Sequence, residues 1–454
     1  MPADFPTALS LSNDYALGYV DPVSVTECAL ERATSVPEAF IVLTPERAHA
    51  EAAQSAARWK SGAPLSPPDG VPVAWKDLVD IAGTVTTAAS AVNAKHVVTH
   101  TDARLVAHAA RAGMICIGKT NLSEFAFSGL GLKPALRHAG EPRARQRLAR
   151  AGGSPSGAAV AAAAGVVPLA IGTDTGGSVR VPAAFNGIVG YRASTARYPK
   201  DGTFVLSRTL DTTGPLARTV ADCIAFDSAV RGITSPAPIM PASLKGQRFV
   251  IDPPFSERHA ASPSVLGQLH AVVERPRDAG AQVDARRLAT LDQLHELIRM
   301  HGWLGGLEAF NAHRALLDSP DAECIDQRVR TRLEASRVVP AGRRAFLRKQ
   351  RLAMIASFRD ELADTTLSLP PYRTSLRCAH RSKPIRTVRA RQSANPVDDH
   401  ARQFSRHAHR RAALRHRHRR RRPAHPRATD ARAKRRRRVA AHRAVGAAPR
   451  KLQF

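Results

Sequence analysis

Few features of secreted, membrane-spanning or zinc-binding proteins occur in this sequence of 454 residues. Its five cysteines lie far apart, and none forms a Cys-x-x-Cys or Cys/His ligand spacing. This pattern argues against structural zinc and is typical of proteins in a reducing compartment. The first residues, MPADF, do not start a basic segment followed by an apolar one, so we predict no signal peptide and a cytoplasmic location.

Long apolar runs are also missing. The longest, Ala158 to Ile171, is rich in alanine, is interrupted by Gly165 and Pro168, and is too short to cross a bilayer. We therefore expect a soluble protein that has no membrane partner.

Three common glycine motifs are absent as well. The glycine-rich stretches match neither G-x-S-x-G, nor G-x-G-x-x-G, nor the phosphate-binding P-loop pattern. Their absence disfavours α/β-hydrolases, dinucleotide-binding proteins and P-loop nucleotide hydrolases.

Acidic residues are scarce in one part of the chain. Residues 371–454 contain 27 Lys and Arg against three acidic residues, so this segment carries 24 of the 30 net positive charges. Its content of large apolar side chains is below the level that a packed core needs. We predict a globular domain over residues 1–370, followed by a basic low-complexity tail that is disordered and takes no part in an active site.

The globular part alternates short apolar runs with helical patterns, which predicts an α/β fold. The spacing of Ser24 and Glu27 matches a capping box and predicts a helix that begins there and ends near Ala33. Further predicted elements are strands at 71–78, 114–118 and 166–172, and helices at 101–113, 156–165 and 220–230.

The stretch GTDTGGSVRVPAAFNGIVG, residues 172–190, places a Gly-Gly-Ser turn directly after a buried strand. Glycine permits such a turn and leaves room beside it, so that several backbone N–H groups can point at one substrate oxygen. Ser178 can therefore be a nucleophile beside an oxyanion hole. The same kind of turn also binds phosphate in some proteins, and in others it is only a tight turn.

Two other segments carry residues with two interpretations each. Ser154, in AGGSPSGAAV, is either the cap of the helix that follows, with Pro155 in its first turn, or a participant in catalysis. Lys76, in GVPVAWKDLVDIAG, ends an apolar strand and is either a surface residue with a buried stem or a buried base.

Taken together, these segments resemble the amidase signature family. The resemblance rests on GVPVAWKDLVDIAGT, GKTNLSEFAFSGLG, GGSPSGAAVAAAAGVVPLAIGTDTGGSVRVPAAFNGIVGYR and LDTTGPLARTVADC, in the family's order and near its spacing. It covers most of residues 20–235 and is faint from 236 to 369. It implies the family's α/β fold, a mixed β-sheet core covered by helices.

The resemblance also implies a role for each residue that matches the family's motifs. Ser178 matches the nucleophile that forms the acyl intermediate, Ser154 the bridging serine on a cis peptide, and Lys76 the general base. The family's oxyanion hole is matched in this chain by the N–H groups of Thr175, Gly176, Gly177 and Ser178. Neither a metal nor an organic cofactor is needed for this chemistry.

Lysine can act as a base near pH 7 only if burial lowers its pKa from the reference value of about 10.4. The apolar neighbours Val71, Val73 and Trp75 make such burial plausible. Asp174 and Arg180 flank the nucleophile, and we expect them to pair and brace the loop rather than to act on substrate.

The expected function is hydrolysis of a carboxamide C–N bond in a small-molecule amide, through an acyl-serine intermediate. One alternative is the A subunit of glutamyl-tRNA(Gln) amidotransferase, which releases ammonia from glutamine for an acylated tRNA and works with partner subunits. A second alternative is an inactive amidase scaffold that binds nucleic acid through its basic tail, the only part expected to do so. The sequence leaves the amide substrate and the oligomeric state open.

Three departures from the family pattern stand out. Pro155 replaces a second serine, residues 133–150 form an unusual arginine-rich segment, and the basic tail replaces the expected strands and helices after residue 369. Three explanations of the basic segments compete: an arm that binds nucleic acid, a solvated disordered tail, and a shifted reading frame. A shifted frame of GC-rich DNA yields mostly Arg, Ala, Pro and His. We favour the shifted frame because one cause then explains two separate anomalies.

Resequencing the coding DNA tests this hypothesis. We expect small insertions or deletions near the codons for residues 133–151 and near codon 370, and a restored frame that encodes apolar strands alternating with glycine turns. If the present frame is confirmed and the tail of the purified protein resists proteolysis, the hypothesis is wrong and the nucleic-acid-binding alternative is favoured.

Overall fold

The computed structural model describes residues 6–128, 152–154, 156–233, 239–253, 263–340, 342–363 and 367–368. The basic tail at 371–454 and the arginine-rich segment at 133–150 lie outside these residues. The disorder and the shifted reading frame proposed for them therefore stay predictions.

A six-stranded mixed sheet forms the centre of the fold, with strand order β1-β3-β2-β4-β6-β5. Its strands are β1 (Phe40–Leu43), β2 (Pro72–Lys76), β3 (Ile115–Thr120), β4 (Leu169–Asp174), β5 (Val189–Gly190) and β6 (Thr212–Ala217). The middle strand β2 runs parallel to both of its neighbours, β3 and β4. The pairs β1–β3, β4–β6 and β5–β6 are antiparallel.

Helices cover both faces of this sheet. They are α1 (Ala8–Ala16), α2 (Pro22–Thr34), α3 (Pro45–Lys60), α4 (Arg104–Arg111), α5 (Ser156–Ala163), α6 (Arg180–Phe185) and α7 (Val220–Val230). One apolar layer joins the sheet to α2, α3 and α5, and a second joins it to α4 and α7. Together the sheet and its helices confirm the predicted α/β fold.

Successive side chains of strand β2 alternate between the two apolar layers. Val73 and Trp75 pack in the layer with α4 and α7, whereas Ala74 packs in the layer with α5. Side chains alternate between the two faces of a strand, so Lys76 is on the same face as Ala74. The lysine that the sequence singled out is therefore directed toward the layer that contains α5.

Helix α5 is made of small residues because it lies against backbone. A Cβ atom added at Gly157 would lie 2.2 Å from the carbonyl oxygen of Ala39 and 2.6 Å from the nitrogen of Asn121. The Gly157 N–H donates to the Asn121 carbonyl at 3.0 Å. This close approach fixes the start of α5 next to the sheet.

Residues from 239 onward add a three-stranded parallel sheet and further helices. The sheet has the order β8-β7-β9, from β7 (Arg248–Ile251), β8 (Gln282–Ala285) and β9 (Leu367–Ser368). The helices are α8 (Pro263–Asp278), α9 (Ala289–His301), α10 (Leu304–Leu317), α11 (Gln327–Glu334) and α12 (Arg343–Glu361). No helix within the described ranges combines the length and the apolar character needed to span a membrane.

The predicted start of the first long helix was wrong. Helix α2 begins at Pro22, and its cap is Asp21, whose carboxylate accepts the N–H groups of Val23 and Ser24 at 2.9 and 3.1 Å. Aspartate is as good a cap as serine, and proline suits the first helical position, so Asp21-Pro22 prevails over the capping-box pattern at Ser24.

The close packing of α5 can be tested with a pair of helical glycines. Gly157→Ala is expected to lower the free energy of unfolding by about 1–3 kcal/mol, because its Cβ would overlap backbone atoms. Gly267→Ala, on the exposed face of α8 where an added Cβ would meet no other atom, should leave stability unchanged or raise it by about 0.5–1 kcal/mol. Denaturant unfolding of both variants is the measurement, and equal midpoints would contradict the packing argument.

Candidate active site

Three polar side chains meet at the carboxyl end of β2. The Lys76 Nζ lies 2.6 Å from Ser154 Oγ and 2.7 Å from Thr173 Oγ1. Lys76 is the last residue of β2, and Thr173 is the last but one of the parallel neighbour β4. The strands end side by side, so the lysine reaches both the serine before α5 and the strand that leads to Ser178.

Ser154 is held through its backbone. The Gly153–Ser154 peptide bond is cis, and the Ser154 carbonyl accepts the N–H groups of Ser123 and Ser156, both at 3.0 Å. Its hydroxyl is on the Lys76 amine, and both side chains are fully buried, with 0% of each residue exposed. The hydroxyl of Ser154, which one interpretation of the sequence assigned as a helix cap, thus contacts the Lys76 amine.

The surroundings of Lys76 change its acidity. Burial lowers the pKa of Lys76 to about 7, against the opposing effect of the negative charges of Asp211 and Asp174. A large fraction of the amine is therefore neutral near pH 7. A neutral amine has one lone pair, so it can accept a hydrogen bond from Ser154 while it still donates to Thr173.

Ser178 lies in the turn that follows β4. The turn runs from Thr175 to Ser178, and Gly177 has φ of +110°, a conformation that favours glycine. Ser178 is partly exposed, whereas Lys76 and Ser154 are buried. The described residues therefore combine a partly exposed serine hydroxyl with an amine that is shielded from water.

The backbone N–H groups of the turn have different partners. The Gly177 N–H donates to Asp174 Oδ1 at 2.8 Å. In the described part of the chain, no hydrogen-bond acceptor faces the N–H groups of Gly176 and Ser178. These two donors are available to an oxygen atom of a ligand.

Asp174 is the centre of a buried ion-pair cluster that supports the turn. Its carboxylate accepts from Arg180 Nε and Nη2, both at 3.0 Å, and from Arg192 Nη1 at 3.1 Å. The Val179 N–H adds a bond of 3.2 Å. Burial by itself raises the pKa of Asp174, but the two arginines and the hydrogen bonds outweigh it and hold the pKa well below its usual range. Asp174 and Arg180, the pair expected from the sequence, lie together here, and neither contacts the Lys76 amine.

Sequence reasoning missed three residues of the site. Thr173 stands in the quoted glycine stretch but was given no role, although it is two residues from the turn. Arg192 is the last residue of the long quoted motif that ends in NGIVGYR, and it donates to both the carbonyl and the carboxylate of Asp174. Asp211 is the second residue of the quoted LDTTGPLARTVADC motif and directly precedes β6, but it was given no role; it accepts a hydrogen bond of 2.5 Å from Thr175 Oγ1.

A second buried lysine fixes the chain that leaves β2. Lys119 Nζ lies 2.7 Å from Asp77 Oδ1, 2.8 Å from Thr86 Oγ1 and 3.0 Å from the Val85 carbonyl. Burial lowers the pKa of Lys119 and raises the pKa of Asp77, and their mutual attraction opposes both changes. The pair ties β3 to the segment that begins directly after Lys76.

Curated proteins of known function are similar to this chain over part of their length. Mandelamide hydrolase of Pseudomonas putida is 43% identical over 174 residues, 38% of this chain and 34% of that protein. The mitochondrial A subunit of glutamyl-tRNA(Gln) amidotransferase from Aedes aegypti is 37% identical over 229 residues, 49% of this chain and 46% of that protein. The chain thus covers less than two thirds of the length of either relative.

The wider comparisons cover most of the chain. A crystal structure of an amidase matches it with a TM-score of 0.69 at 26% sequence identity, over 82% of each chain. The family model for amidases matches residues 24–377, which include every side chain of the site described above. The chain therefore belongs to the amidase family, the amidase signature enzymes that its motifs resemble.

Proposed function

We propose that this chain is an amidase that cleaves a carboxamide C–N bond through an acyl intermediate on Ser178, with Ser154 and Lys76 as its proton relay. The observation that carries the proposal is the buried contact of 2.6 Å between Lys76 Nζ and Ser154 Oγ. Lys76 Nζ also contacts Thr173 on β4, the strand that leads into the turn with the partly exposed Ser178. A buried amine of lowered pKa in contact with a serine hydroxyl is a base suited to activating a hydroxyl.

Acylation begins with the neutral form of Lys76. Ser178 Oγ attacks the carbonyl carbon of the amide, and its proton passes to Ser154 Oγ, whose own proton passes to Lys76 Nζ. The carbonyl oxygen becomes an oxyanion. The C–N bond then breaks as the relay returns the proton to the leaving nitrogen, which departs as an amine or ammonia and leaves an ester on Ser178.

The oxyanion hole is assigned to the N–H groups of Thr175, Gly176, Gly177 and Ser178. Those of Gly176 and Ser178 are the better supported donors, because the Gly177 N–H is engaged with Asp174. Donors fixed in this way stabilise the charge that develops on the oxygen without having to reorganise.

Deacylation repeats the relay with water as the nucleophile. Water attacks the ester carbonyl and gives a proton to Lys76 through Ser154, and the proton then returns to Ser178 Oγ as the carboxylic acid leaves. The sum is amide plus water to carboxylic acid plus amine. No residue other than Ser178 forms a covalent bond to the substrate.

The relatives leave two substrate classes for this mechanism. Mandelamide hydrolase acts on a simple amide, whereas the amidotransferase A subunit is part of an assembly named for glutamyl-tRNA. We favour a simple amide for this chain, because mandelamide hydrolase has the higher identity over the aligned residues.

The proposed relay predicts a pH-dependent labelling reaction. A fluorophosphonate probe is expected to label Ser178, at a rate that rises with pH to a plateau and has its midpoint near pH 7. The sign follows from Lys76, since only its neutral form accepts the proton and that fraction grows as pH passes its pKa of about 7. Labelling is measured by intact mass and by peptide mapping at each pH.

Three variants complete that experiment. Ser178→Ala should abolish labelling, and Ser154→Ala and Lys76→Met should each slow it by roughly a hundredfold or more while the protein stays folded. Ser61→Ala, an exposed serine at the end of α3, is the matched control and should label like the parent. Labelling that persists in Ser178→Ala would refute the nucleophile assignment.

A substrate panel separates the two classes. The purified chain is expected to hydrolyse simple aromatic or aliphatic amides without any partner, with release of ammonia measured directly. Hydrolysis of glutamine only after addition of copurifying subunits would support the amidotransferase instead. Steeply salt-dependent binding of nucleic acid with no turnover of any amide would support the inactive scaffold.

A further inference from the structure

Asp211 connects two segments that border the site. One carboxylate oxygen accepts from Thr175 Oγ1 at 2.5 Å, and the other accepts from the N–H groups of Leu206 and Ser207, both at 2.9 Å. Thr175 is the first residue of the turn that ends at Ser178. Asp211 therefore ties the start of that turn to the 206–207 backbone.

We propose that Asp211 is a positioning residue for the reaction, which orders the turn through Thr175 and places a negative charge where the Lys76 ammonium forms. The inference rests on the proposed function of Lys76 as the base. Asp211 itself does not contact the reacting atoms, and it acts through Thr175 and Lys76.

The charges around Lys76 make Asp211 distinct from its neighbours. The negative charges of two carboxylates act on this lysine, that of Asp174 at the end of β4 and that of Asp211 in the segment before β6. Asp174 is neutralised by Arg180 and Arg192, and Asp77 by Lys119. The donors to the Asp211 carboxylate are a hydroxyl and two backbone N–H groups, all uncharged, while Lys200 Nζ lies 3.4 Å from its backbone carbonyl. Burial raises the pKa of Asp211, and the hydrogen bonds and the charge of Lys76 oppose that change.

This arrangement has a consequence for proton transfer. Each turnover creates a cation at a fully buried nitrogen, which is costly unless a negative charge lies nearby. The charge of Asp211 offsets that cost, and it keeps the pKa of Lys76 higher than burial alone would allow. Without it, Lys76 would be neutral at lower pH but a weaker acceptor of the proton.

Asp211→Asn is a suitable test because it preserves the local hydrogen bonds. The amide oxygen can accept from the N–H groups of Leu206 and Ser207, and the amide nitrogen can donate to Thr175 Oγ1. The measurement is the rate of fluorophosphonate labelling of Ser178 as a function of pH. We expect the midpoint to move to lower pH by about one pH unit or more, with a plateau rate several-fold below that of the parent.

Glu308→Gln is the matched control. Glu308, on α10, holds the same segment through Ser207 Oγ, the Thr209 N–H and Thr209 Oγ1, but it exerts no charge effect on Lys76. The pH midpoint of Ser178 labelling in Glu308→Gln is expected to equal that of the parent even if the melting temperature of the variant falls.

A second variant, Asp211→Glu, retains the negative charge while it disturbs the hydrogen bonds. It should be labelled slowly, with a pH midpoint near that of the parent.

The outcomes separate the two proposals. A midpoint unchanged in Asp211→Asn, or moved equally in Glu308→Gln or Asp211→Glu, overturns the role of Asp211 and leaves the relay intact. If Asp211→Asn does not fold, the Asp211→Glu midpoint decides, since a shift of a full pH unit there contradicts a role for the charge. A parent protein that is not labelled at any pH overturns both proposals.

Discussion

A buried amine costs free energy unless it loses its proton or finds partners, and Lys76 does both. Its pKa falls to about 7, and its nitrogen is held by the hydroxyls of Ser154 and Thr173. These partners come from two different segments, the turn before α5 and the strand β4. The need to surround one nitrogen with polar groups inside an apolar layer therefore fixes how β2, α5 and β4 lie relative to one another.

Asp174 is also a buried ionisable group that needs polar partners, but its charge is negative. A buried carboxylate is stable only when cations and N–H groups compensate it, and here Arg180, Arg192, Gly177 and Val179 do so. Because two of these partners belong to the turn around Ser178, the ion pairs also set the conformation of the turn. Gly177, with its positive φ, permits that conformation, and the buried charges select it.

Local patterns predicted the parts of the fold that depend on short stretches of chain. The strand at 71–78 and the helix at 156–165 lie where expected, with slightly different ends, because apolar runs and small-residue spacing are local features. The motif resemblance brought Lys76, Ser154 and Ser178 to attention for the same reason. Thr173, Arg192 and Asp211 were missed because their roles depend on contacts that only the folded chain creates, such as the bond from Thr175 to Asp211. The cap of α2 was missed where two good caps, Asp21 and Ser24, compete over three residues.

The region in which the family resemblance is faint still reaches the site. Glu308 on α10 accepts hydrogen bonds from Ser207 and Thr209, four and two residues before Asp211. Glu124, within the quoted GKTNLSEFAFSGLG motif, accepts the Asp326 N–H at 2.7 Å, and Arg332 on α11 donates to the carbonyl of Phe127 in the same motif at 2.8 Å. Each contact joins the weakly similar part to a segment that belongs to one of the motifs of the candidate site or leads into one. Sequence differences after residue 236 can thus change the segments around the site, through Glu308, Asp326 and Arg332, while the buried contact between Lys76 and Ser154 stays the same.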